Sequence, residues 1–405
     1  MPDNGRATAI NGPLPGLAVC YVAVAMPVLS ETFVTNEIRA VRAAGITVLP
    51  VSMARYAGAC QPDDECFRTG AAVLGDIPAA AALAAAAVSP AGLARAVFFA
   101  RSQTGLRPRS LLLAGARLAL VARRGGCRHI HAHFSLAAAA TAITAARLAG
   151  ISCSFTAHGF DVRVSPSDLP LKLRSADFAV AVSTDLADDL RGMAPDARIE
   201  LVYCGIDPDR FFPRPVPSNG RILAVGRLSP EKGWSVLIEA LASLPPGHRP
   251  QVDAVGGGKK ENELREFAAR SGVAADINFL GTMPSGWIAS EGPHYQGFVA
   301  PYIVGPDGSC DTGPLTVKEA MAMGLPVAAS SLPGLREILG PDCGRLTPPG
   351  GAAALAEALV WLSGMSAEGR ASAGSACRAR VAAHFTLARQ AETLSGLFRQ
   401  AAASC

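Results

Sequence analysis

The sequence predicts an α/β protein built from two doubly wound domains, and three observations support this. The chain has 405 residues, which exceeds the size that one hydrophobic core usually reaches. Half of the residues are apolar and 17% are charged, so two large cores can be buried. Short apolar runs alternate with longer helix-like segments in both halves, which is typical of parallel βαβ units.

In the first half, strand-like apolar runs are separated by helix-like segments. The predicted strands are 17–26, 46–51, 129–132, 153–157, 178–182 and 199–203. A helix is expected over Ser30–Ala44, and Ala-rich helices extend to about Arg124. Four prolines between Asp207 and Gly220 then indicate an interdomain linker.

A second alternating series fills the other half of the chain. Its predicted strands are 221–225, 251–255, 276–280, 297–301, 326–329 and 345–346, and its predicted helices are 234–242, 262–270, 315–323 and 352–402. We therefore expect four parts, namely an N-terminal domain (1–206), a linker (207–219), a C-terminal domain (220–384) and a final helix (385–405).

Charge is distributed unevenly along the chain. The net charge of +4 is too small to indicate nucleic-acid binding by itself. Between Asp76 and Asp161, however, there is no acidic residue, while nine arginines occur there: Arg95, Arg101, Arg107, Arg109, Arg117, Arg123, Arg124, Arg128 and Arg147. Contact with an anionic membrane surface and a solvated helical face both remain open as interpretations.

Other sequence features favour a cytoplasmic protein. The ten cysteines are scattered without a CxxC pair, which is typical of reduced thiols. Residues 1–16 lack a basic segment followed by an apolar core, so no signal peptide is expected. The apolar stretch 77–100 contains Pro78, Pro90 and Arg95, which argue against a membrane-spanning helix.

The first candidate motif follows the predicted strand at 221–225. It is the octapeptide Gly226-Arg227-Leu-Ser-Pro-Glu-Lys232-Gly233, and a helix comes after it. Ligands bind at the carboxyl edge of parallel sheets, where this turn places Arg227 and Lys232. Two cations at that edge can neutralise a diphosphate and the charge that builds on it as a leaving group.

The second motif contains two acids at the start of a predicted helix. Asp311 and Glu319 are separated by seven residues that include Gly313, Pro314, Leu315 and Thr316. The helix N-terminus near Leu315 presents backbone N–H groups and partial positive charge to phosphate oxygens. Glu319, one turn inside the helix, can reach hydroxyls such as those of ribose, and Asp311 can accept hydrogen bonds from a sugar.

Histidines and a second acidic cluster are further candidates. His158 follows an apolar strand and precedes Gly159, so it is expected at a carboxyl edge. His129, His131 and His133 alternate at strand spacing, but no carboxylate or cysteine at ligand spacing accompanies them, and no metal site is expected. The run Asp63-Asp64-Glu65 is expected to be solvated and far from the site.

Together, these motifs resemble the retaining glycosyltransferases of family 4. Family landmarks are Gly-Arg-x4-Lys-Gly, an acid-x7-Glu pair, and a following Ala-Met-Ala-x-Gly-x-Pro-Val run, all present here. Segments 30–33, 129–134, 157–161 and 204–207 are similar to members acting in bacterial exopolysaccharide and lipid-linked sugar assembly. The resemblance implies the GT-B fold, two Rossmann-like domains facing each other across a cleft, with the final helix crossing back to the first domain.

The resemblance also implies roles for individual residues. Arg227 and Lys232 would bind the donor diphosphate, Glu319 the ribose and Asp311 the donor sugar. Residues 313–316 would give backbone N–H contacts, and His158 would face the sugar across the cleft. Many family members have Glu where this chain has Asp311, and their N-terminal glycine-rich loop is represented only by residues 27–30.

The implied activity is the transfer of a hexose from a UDP- or GDP-linked sugar, with retention of configuration and without a metal or other cofactor. The implied acceptor is a glycan or a polyprenyl-diphosphate-linked sugar in cell-surface polysaccharide assembly. Two alternatives remain open. One is a non-catalytic nucleotide- or lipid-binding module, and the other is an epimerase or phosphorylase of the same architecture.

Overall fold

The computed structural model describes residues 16–404. The segment 1–15, where no signal peptide is expected, and Cys405 lie outside the described residues. Within 16–404, no single helix is long and apolar enough to cross a membrane. Two consecutive helices, Ala79–Ala87 and Pro90–Arg101, meet that test only as a pair, and they are bent by 115°.

The described residues form two wholly parallel sheets, which confirms the predicted α/β class. The N-terminal sheet has the order β3-β2-β1-β4-β5-β6-β7. Its strands are β1 (Ala18–Ala23), β2 (Thr47–Ser52), β3 (Ala72–Val73), β4 (His129–His133), β5 (Ser152–Ala157), β6 (Phe178–Ala181) and β7 (Ile199–Leu201). Strand β1 ends earlier than predicted, and the two-residue edge strand β3 has too little sequence pattern to be predicted.

Helices cover both faces of this sheet. They are α1 (Thr32–Ala43), α2 (Glu65–Gly70), α3 (Ala79–Ala87), α4 (Pro90–Arg101), α5 (Pro108–Arg124), α6 (Ala137–Ala149), α7 (Gly159–Arg163), α8 (Leu169–Ser175) and α9 (Thr184–Met193). Because both faces are covered, strands such as β1 and β5 are buried along their whole length.

The C-terminal sheet has the order β10-β9-β8-β11-β12-β13. Its strands are β8 (Ile222–Val225), β9 (Val252–Val255), β10 (Ile277–Gly281), β11 (Gly297–Ala300), β12 (Val327–Ser330) and β13 (Gly344–Thr347). The helices of this half are α10 (Trp234–Ser243), α11 (Glu261–Arg270), α12 (Ser285–Glu291), α13 (Leu315–Ala322), α14 (Pro333–Leu339), α15 (Ala352–Ser363), α16 (Ala367–His384) and α17 (Leu387–Ala403).

Each sheet reverses its winding direction at one place. In the first sheet β1 lies between β2 and β4, and in the second β8 lies between β9 and β11. The chain leaves such neighbouring strands in opposite directions, so a crevice opens at their carboxyl ends. The segments after β8 and β11 carry the motifs found in the sequence, and the end of β4 and β5 carries His133 and His158.

The chain passes between the two halves at one crossing. Ile206 and Thr386 form an isolated parallel bridge, and the Leu387 N–H donates to the Ile206 carbonyl at 2.9 Å. A Cβ atom at Gly205 would lie 2.4 Å from the Thr386 carbonyl, so only glycine fits this approach. Beyond the crossing, α17 packs on α1 and against β4 and β5 of the first sheet.

The arginines of the acid-free stretch differ in their surroundings. Arg123 donates to the carbonyls of Ala85 and Leu148, and Arg147 stacks over Phe99 at 4.6 Å. These two side chains hold helices together and are not part of a free basic face. Six arginines of the stretch are exposed and have no ion-pair partner among the described residues: Arg95, Arg101, Arg107, Arg109, Arg124 and Arg128. The first five lie on α4, on α5 or between them, and Arg128 follows α5 and donates to the Ala402 carbonyl.

Candidate active site

The turn after β8 is drawn tightly against the end of β11. Gly233 has φ +66°, and a Cβ atom there would lie 1.8 Å from the Pro301 carbonyl oxygen. Glycine is therefore required both for the backbone conformation and for the close approach. The consequence is that Lys232 comes to lie beside Tyr302, with its Nζ 4.1 Å from the ring centroid.

Lys232 is paired with Asp311, 79 residues further along the chain. Its Nζ lies 2.5 Å from Asp311 Oδ2, while Asp311 Oδ1 accepts a hydrogen bond from the Gly313 N–H. Burial opposes the charged form of both groups, but each stabilises the charge of the other. The pKa of Lys232 is consequently raised and that of Asp311 lowered.

Arg227 lies at the same sheet edge but is more accessible. Its side chain is 65% exposed, and one guanidinium nitrogen is 3.0 Å from Glu231 Oε1. Its backbone is held in place because the Trp234 indole N–H donates to the Arg227 carbonyl at 2.7 Å. The guanidinium is thus anchored at its base and free to turn toward an anion in the cleft.

The first turn of α13 follows directly. Helix α13 begins at Leu315 with Pro314 as its N-cap, and the Thr316 hydroxyl lies 3.2 Å from the Tyr302 hydroxyl. The backbone N–H groups of Leu315 and Thr316 have no carbonyl partner within the helix. Pro314 has no N–H group, so the implied set of backbone donors over 313–316 is reduced by that residue.

Glu319 lies one turn inside α13 and is half-buried. Burial raises the pKa of its carboxyl to about 7, with the nearby Arg210 lowering it by a smaller amount. Glu319 also lines a cavity of about 770 Å³ that lies between α1, α17, segment 61–64 and the start of α12. Lys232, Asp311 and His158 do not line this cavity. Glu319 is therefore the residue at which the cavity adjoins the sheet edge that carries Lys232 and Asp311.

His158 belongs to the opposite wall, at the end of β5. Its ring lies between Phe33 and Phe134, with centroid distances of 4.5 and 4.6 Å, and its Nε2 has no hydrogen-bond partner among the described residues. Burial holds the pKa of His158 well below its usual value, so the imidazole is neutral.

Asp161 fixes the backbone at His158. Its two carboxylate oxygens accept from the His158 N–H at 2.7 Å and from the Ser135 N–H at 2.5 Å. Burial raises the pKa of Asp161 to about 6 despite these hydrogen bonds. The start of α7 is thereby tied to the loop that follows β4.

The acidic run Asp63-Asp64-Glu65 is only in part the solvated, remote cluster that the sequence suggested, since the side chains of Asp63 and Glu65 are 61% and 60% exposed. Asp64 is 2% exposed and pairs with Arg39 of α1 at 2.5 Å. Asp63 pairs with Arg210 at 2.9 Å and lines the same cavity as Glu319. The prediction was wrong for the burial of Asp64 and for the distance of the run from the site, because both basic partners are distant in sequence.

The histidines of β4 also have a partner that the sequence did not reveal. Glu37 of α1 lies 3.2 Å from His133 Nε2 and 3.6 Å from His131 Nε2. We expected no metal site because no carboxylate was evident near these histidines, and that premise was wrong. Among the described residues, Glu37, His131 and His133 form a group whose ligand atoms lie within 4.8 Å of one another.

Contacts between the two halves involve residues that sequence reasoning missed. Glu337 of α14 accepts hydrogen bonds from the Thr184 N–H at 3.0 Å and from the Tyr203 hydroxyl at 2.6 Å. Lys318, which is 1% exposed, donates to the Cys204 carbonyl at 2.8 Å. A lysine at an apolar position of α13 was the available signal for the second contact, whereas Glu337 had none.

The fold and the site together define a class of protein. Two doubly wound domains face one another, and the inner edges carry a paired lysine and aspartate, an anchored arginine, a helix N-terminus and a neutral histidine. These features suit the binding of a phosphorylated ligand between the domains.

Sequence comparisons then give the family. Residues 219–364 match the profile described as "Glycosyl transferases group 1", and residues 30–210 match the profile described as "Glycosyltransferase Family 4". The chain belongs to the family 4 glycosyltransferases, and the protein is therefore a transferase.

Two curated relatives illustrate the similarity. The putative colanic acid biosynthesis glycosyltransferase WcaL of Escherichia coli is 31% identical over 196 residues, which are 47% of this chain and 48% of WcaL. The amylovoran biosynthesis glycosyltransferase AmsK of Erwinia amylovora is 32% identical over 174 residues, 42% of this chain and 43% of AmsK. The chain thus spans about half the length of the curated relatives it matches.

Solved structures support the GT-B fold. A glycosyltransferase from Rickettsia africae has a TM-score of 0.74 at 18% identity, covering 96% of this chain and 99% of its own. Anabaena HepE, solved in complex with UDP, has a TM-score of 0.69 at 17% identity, covering 95% of this chain and 100% of its own. At these identities the likeness concerns the fold alone.

Proposed function

We propose that this chain transfers a hexose from a UDP- or GDP-linked sugar to a glycan or polyprenyl-diphosphate-linked acceptor in cell-surface polysaccharide assembly. The observation that carries the proposal is the pairing of Lys232 with Asp311 beside the N-terminus of α13. It assembles, from separate segments, the cation and carboxylate that a diphosphate and its sugar require. Colanic acid and amylovoran appear in the names of two relatives, which favours polysaccharide assembly.

The proposed chemistry is electrostatic and retains the anomeric configuration. As the bond between the sugar and the diphosphate breaks, Lys232, Arg227 and the N–H groups of Leu315 and Thr316 stabilise the charge on the leaving phosphate. The acceptor hydroxyl oxygen bonds to the anomeric carbon on the face that the diphosphate leaves, and the departing diphosphate takes the hydroxyl proton. Neutral His158 donates a hydrogen bond from the opposite wall, and Glu319 binds the ribose hydroxyls.

A thermal-shift screen tests donor binding. The purified chain is heated with UDP, GDP, ADP or TDP, and we expect one nucleotide to raise the melting temperature because it binds only the folded state. Lys232→Ala should lose that shift. Lys260→Ala, which removes an exposed lysine paired with Glu263, is the matched control and should keep it. Equal shifts in both variants, or none with any nucleotide in the wild type, would contradict the proposed diphosphate site.

Attachment to an anionic bilayer belongs to the same proposal. Val88 and Phe98 are 78% and 74% exposed, and they lie on or beside α4 among the unpaired Arg95, Arg101 and Arg107. Apolar side chains surrounded by arginines suit insertion at a phospholipid headgroup layer. The loop after α4 is tied to the start of α8, because Asp168 accepts from the Thr104 and Gly105 N–H groups.

Sedimentation with phosphatidylglycerol liposomes tests this attachment. We expect the wild type to bind and the double variant Val88→Asp/Phe98→Asp to lose most binding, since each change removes apolar insertion and adds repulsion. Val360→Asp alters a valine that is 43% exposed on α15 and should bind as the wild type does. If the double variant sediments as well as the wild type, this surface is not the membrane contact.

A further inference from the structure

A buried carboxylate and imidazole lie behind His158. Glu37 and His133 are 2% and 1% exposed, and Glu37 Oε1 is 3.2 Å from His133 Nε2, a charge contact that lacks hydrogen-bond geometry. His131 is held separately, since its two ring nitrogens lie 2.8 and 3.0 Å from the hydroxyls of Ser154 and Thr156. His133 is therefore the imidazole that depends on its contact with Glu37. Removing a carboxylate and an imidazole from water costs free energy, so this pair contributes little to the stability of the fold. A role in positioning His158 is an alternative reason for its presence.

The ring of His133 contacts the ring of His158. The two imidazoles stack with a centroid distance of 5.8 Å and an angle of 23° between their planes. Phe33 also contacts both rings, at 5.9 Å from His133 and 4.5 Å from His158. The His158 Nε2 has no hydrogen-bond partner among the described residues, and the ring is held by its capping contact with the Asp161 backbone and by ring packing. A rotation of His133 would change one side of that packing.

The other oxygen of Glu37 is held by the crossing between the domains. Gln390 of α17 donates from Nε2 to Glu37 Oε2 at 2.7 Å, and its Oε1 accepts from the Gly205 N–H at 2.7 Å. Gly205 directly precedes Ile206, which pairs with Thr386 where the chain passes between the two halves. One amide side chain thus joins the crossing to the carboxylate that holds His133.

We infer that Glu37 and His133 are positioning residues for His158, and that Gln390 makes this positioning depend on the geometry of the domain crossing. The inference rests on the proposed function, in which His158 faces the donor sugar. When the crossing segments are in register, Gln390 fixes Glu37, Glu37 fixes His133, and the stacked ring directs the His158 Nε2 into the cleft. A change in domain orientation would break this series of contacts at the Gly205 N–H.

Other charged and titratable groups surround the pair. Tyr21 of β1 stacks against His131 and His133 at 5.0 and 6.0 Å. Glu31, in the loop before α1, interacts electrostatically with His133 and with Arg227 across the cleft. Glu37, His131 and His133 could alternatively hold a transition metal, because their ligand atoms are within 4.8 Å of one another. Metal analysis separates that occupant from the positioning role.

Two variants and one control test the inference. Glu37→Gln keeps the size of the side chain but removes its charge, and Gln390→Leu removes both hydrogen bonds at the crossing. His129→Gln is the control, because His129 is equally buried on the same strand but packs on Phe178 and Phe398, away from His158. The measurements are kcat, KM for the donor, the imidazole ¹⁵N signals of His158 (assigned with His158→Gln), and the zinc content of the purified chain.

We expect kcat of both variants to fall about ten- to a hundredfold with little change in donor KM, because misplacing a contact costs rate rather than affinity. The His158 signals should shift in both variants although neither residue touches His158. The control should lower the melting temperature and leave the His158 signals in place.

Several results would overturn the inference. Unchanged His158 signals and kcat in both variants would show that the pair only supports the core, as would equal effects in the control. Retention of about one equivalent of zinc by the wild type would assign the cluster to a metal instead. If the wild type bound no nucleoside diphosphate, the proposed function would fail, whereas the His158 signals would still report on the coupling.

Discussion

Among single residues, Glu319 shows how the site trades stability for binding. Its carboxyl is half-buried without a hydrogen-bond donor among the described residues, and burial raises its pKa to about 7. The folded chain therefore holds a proton there more tightly than the unfolded chain does. Because the folded pKa exceeds the ordinary value of 4.5, this residue makes the unfolding free energy decrease as pH rises from 4.5 to 7.

Glu319→Gln should accordingly stabilise the chain and weaken donor binding. At about pH 8 we expect the unfolding free energy to rise by about 1–3 kcal/mol, because no buried charge has to form. The affinity for the donor sugar nucleotide should fall, since an amide accepts ribose hydroxyls less strongly than a carboxylate. Thermal denaturation at about pH 5 and pH 8 checks the first effect, and calorimetric titration checks the second. A variant with lower stability at the higher pH would refute this account of Glu319.

The residue scale is also where sequence reasoning was least complete. Arg227, Lys232, Asp311 and Glu319 could be proposed because they lie beside glycine turns and a helix start in two motifs, each continuous in sequence. Partners such as Glu37 and Glu337 could not be found, because each lies on a different helix and meets its partner only after folding. The burial of Asp64 and the position of Asp63 at the cavity were missed for the same reason, since their partners Arg39 and Arg210 are distant in sequence.

Among the elements, the short helix α7 illustrates how a strand end is fixed. Asp161 accepts from two backbone N–H groups, one at His158 and one at Ser135. These bonds join the loops after β4 and β5, which form one wall of the cleft. Strand bounds in both halves were largely predictable from alternation and turn residues, except for the two-residue edge strand β3, which left no pattern. The region 352–402 that was predicted to be helical is divided into α15, α16 and α17.

Asp161→Ala should disturb both stability and activity. Two buried N–H groups lose their acceptors, so we expect a loss of about 1–3 kcal/mol in unfolding free energy. Turnover should fall further than stability accounts for, because the backbone at His158 is released. Chemical denaturation and steady-state kinetics measure the two effects. Asp196→Ala, which removes an exposed carboxylate paired with Arg174, serves as the control and should change neither.

For the whole molecule, polar contacts join the two domains beside the crossing at Ile206 and Thr386 and also elsewhere, as where the Ser285 N–H donates to Gln61 Oε1 at 2.9 Å. Glu337 binds Thr184 and Tyr203, and Lys318 binds the Cys204 carbonyl. Contacts of this kind suit a cleft that opens and closes around a ligand. The overall architecture followed from the sequence because each domain repeats the same alternation, whereas the contacts between domains carry no local pattern.

Glu337→Ala should shift the chain toward a more open arrangement. Loss of the carboxylate removes the acceptor for Thr184 and Tyr203, so the radius of gyration in small-angle X-ray scattering should increase. Donor nucleotide should reduce this increase by holding the domains together. Glu357→Ala, which breaks an exposed pair with Arg345 within the C-terminal half, should leave the radius unchanged. Identical scattering from both variants would argue against a role for Glu337 in closure.

We propose above all that Lys232, Asp311 and Glu319 form a donor site for glycosyl transfer. The most direct measurement is the release of nucleoside diphosphate from UDP- and GDP-linked hexoses in the presence of polyprenyl-diphosphate-linked acceptors. We expect acceptor-dependent release by the wild type and a decrease of about a hundredfold or more in Lys232→Ala, with Lys260→Ala unaffected. Equal release by the wild type and Lys232→Ala would contradict it.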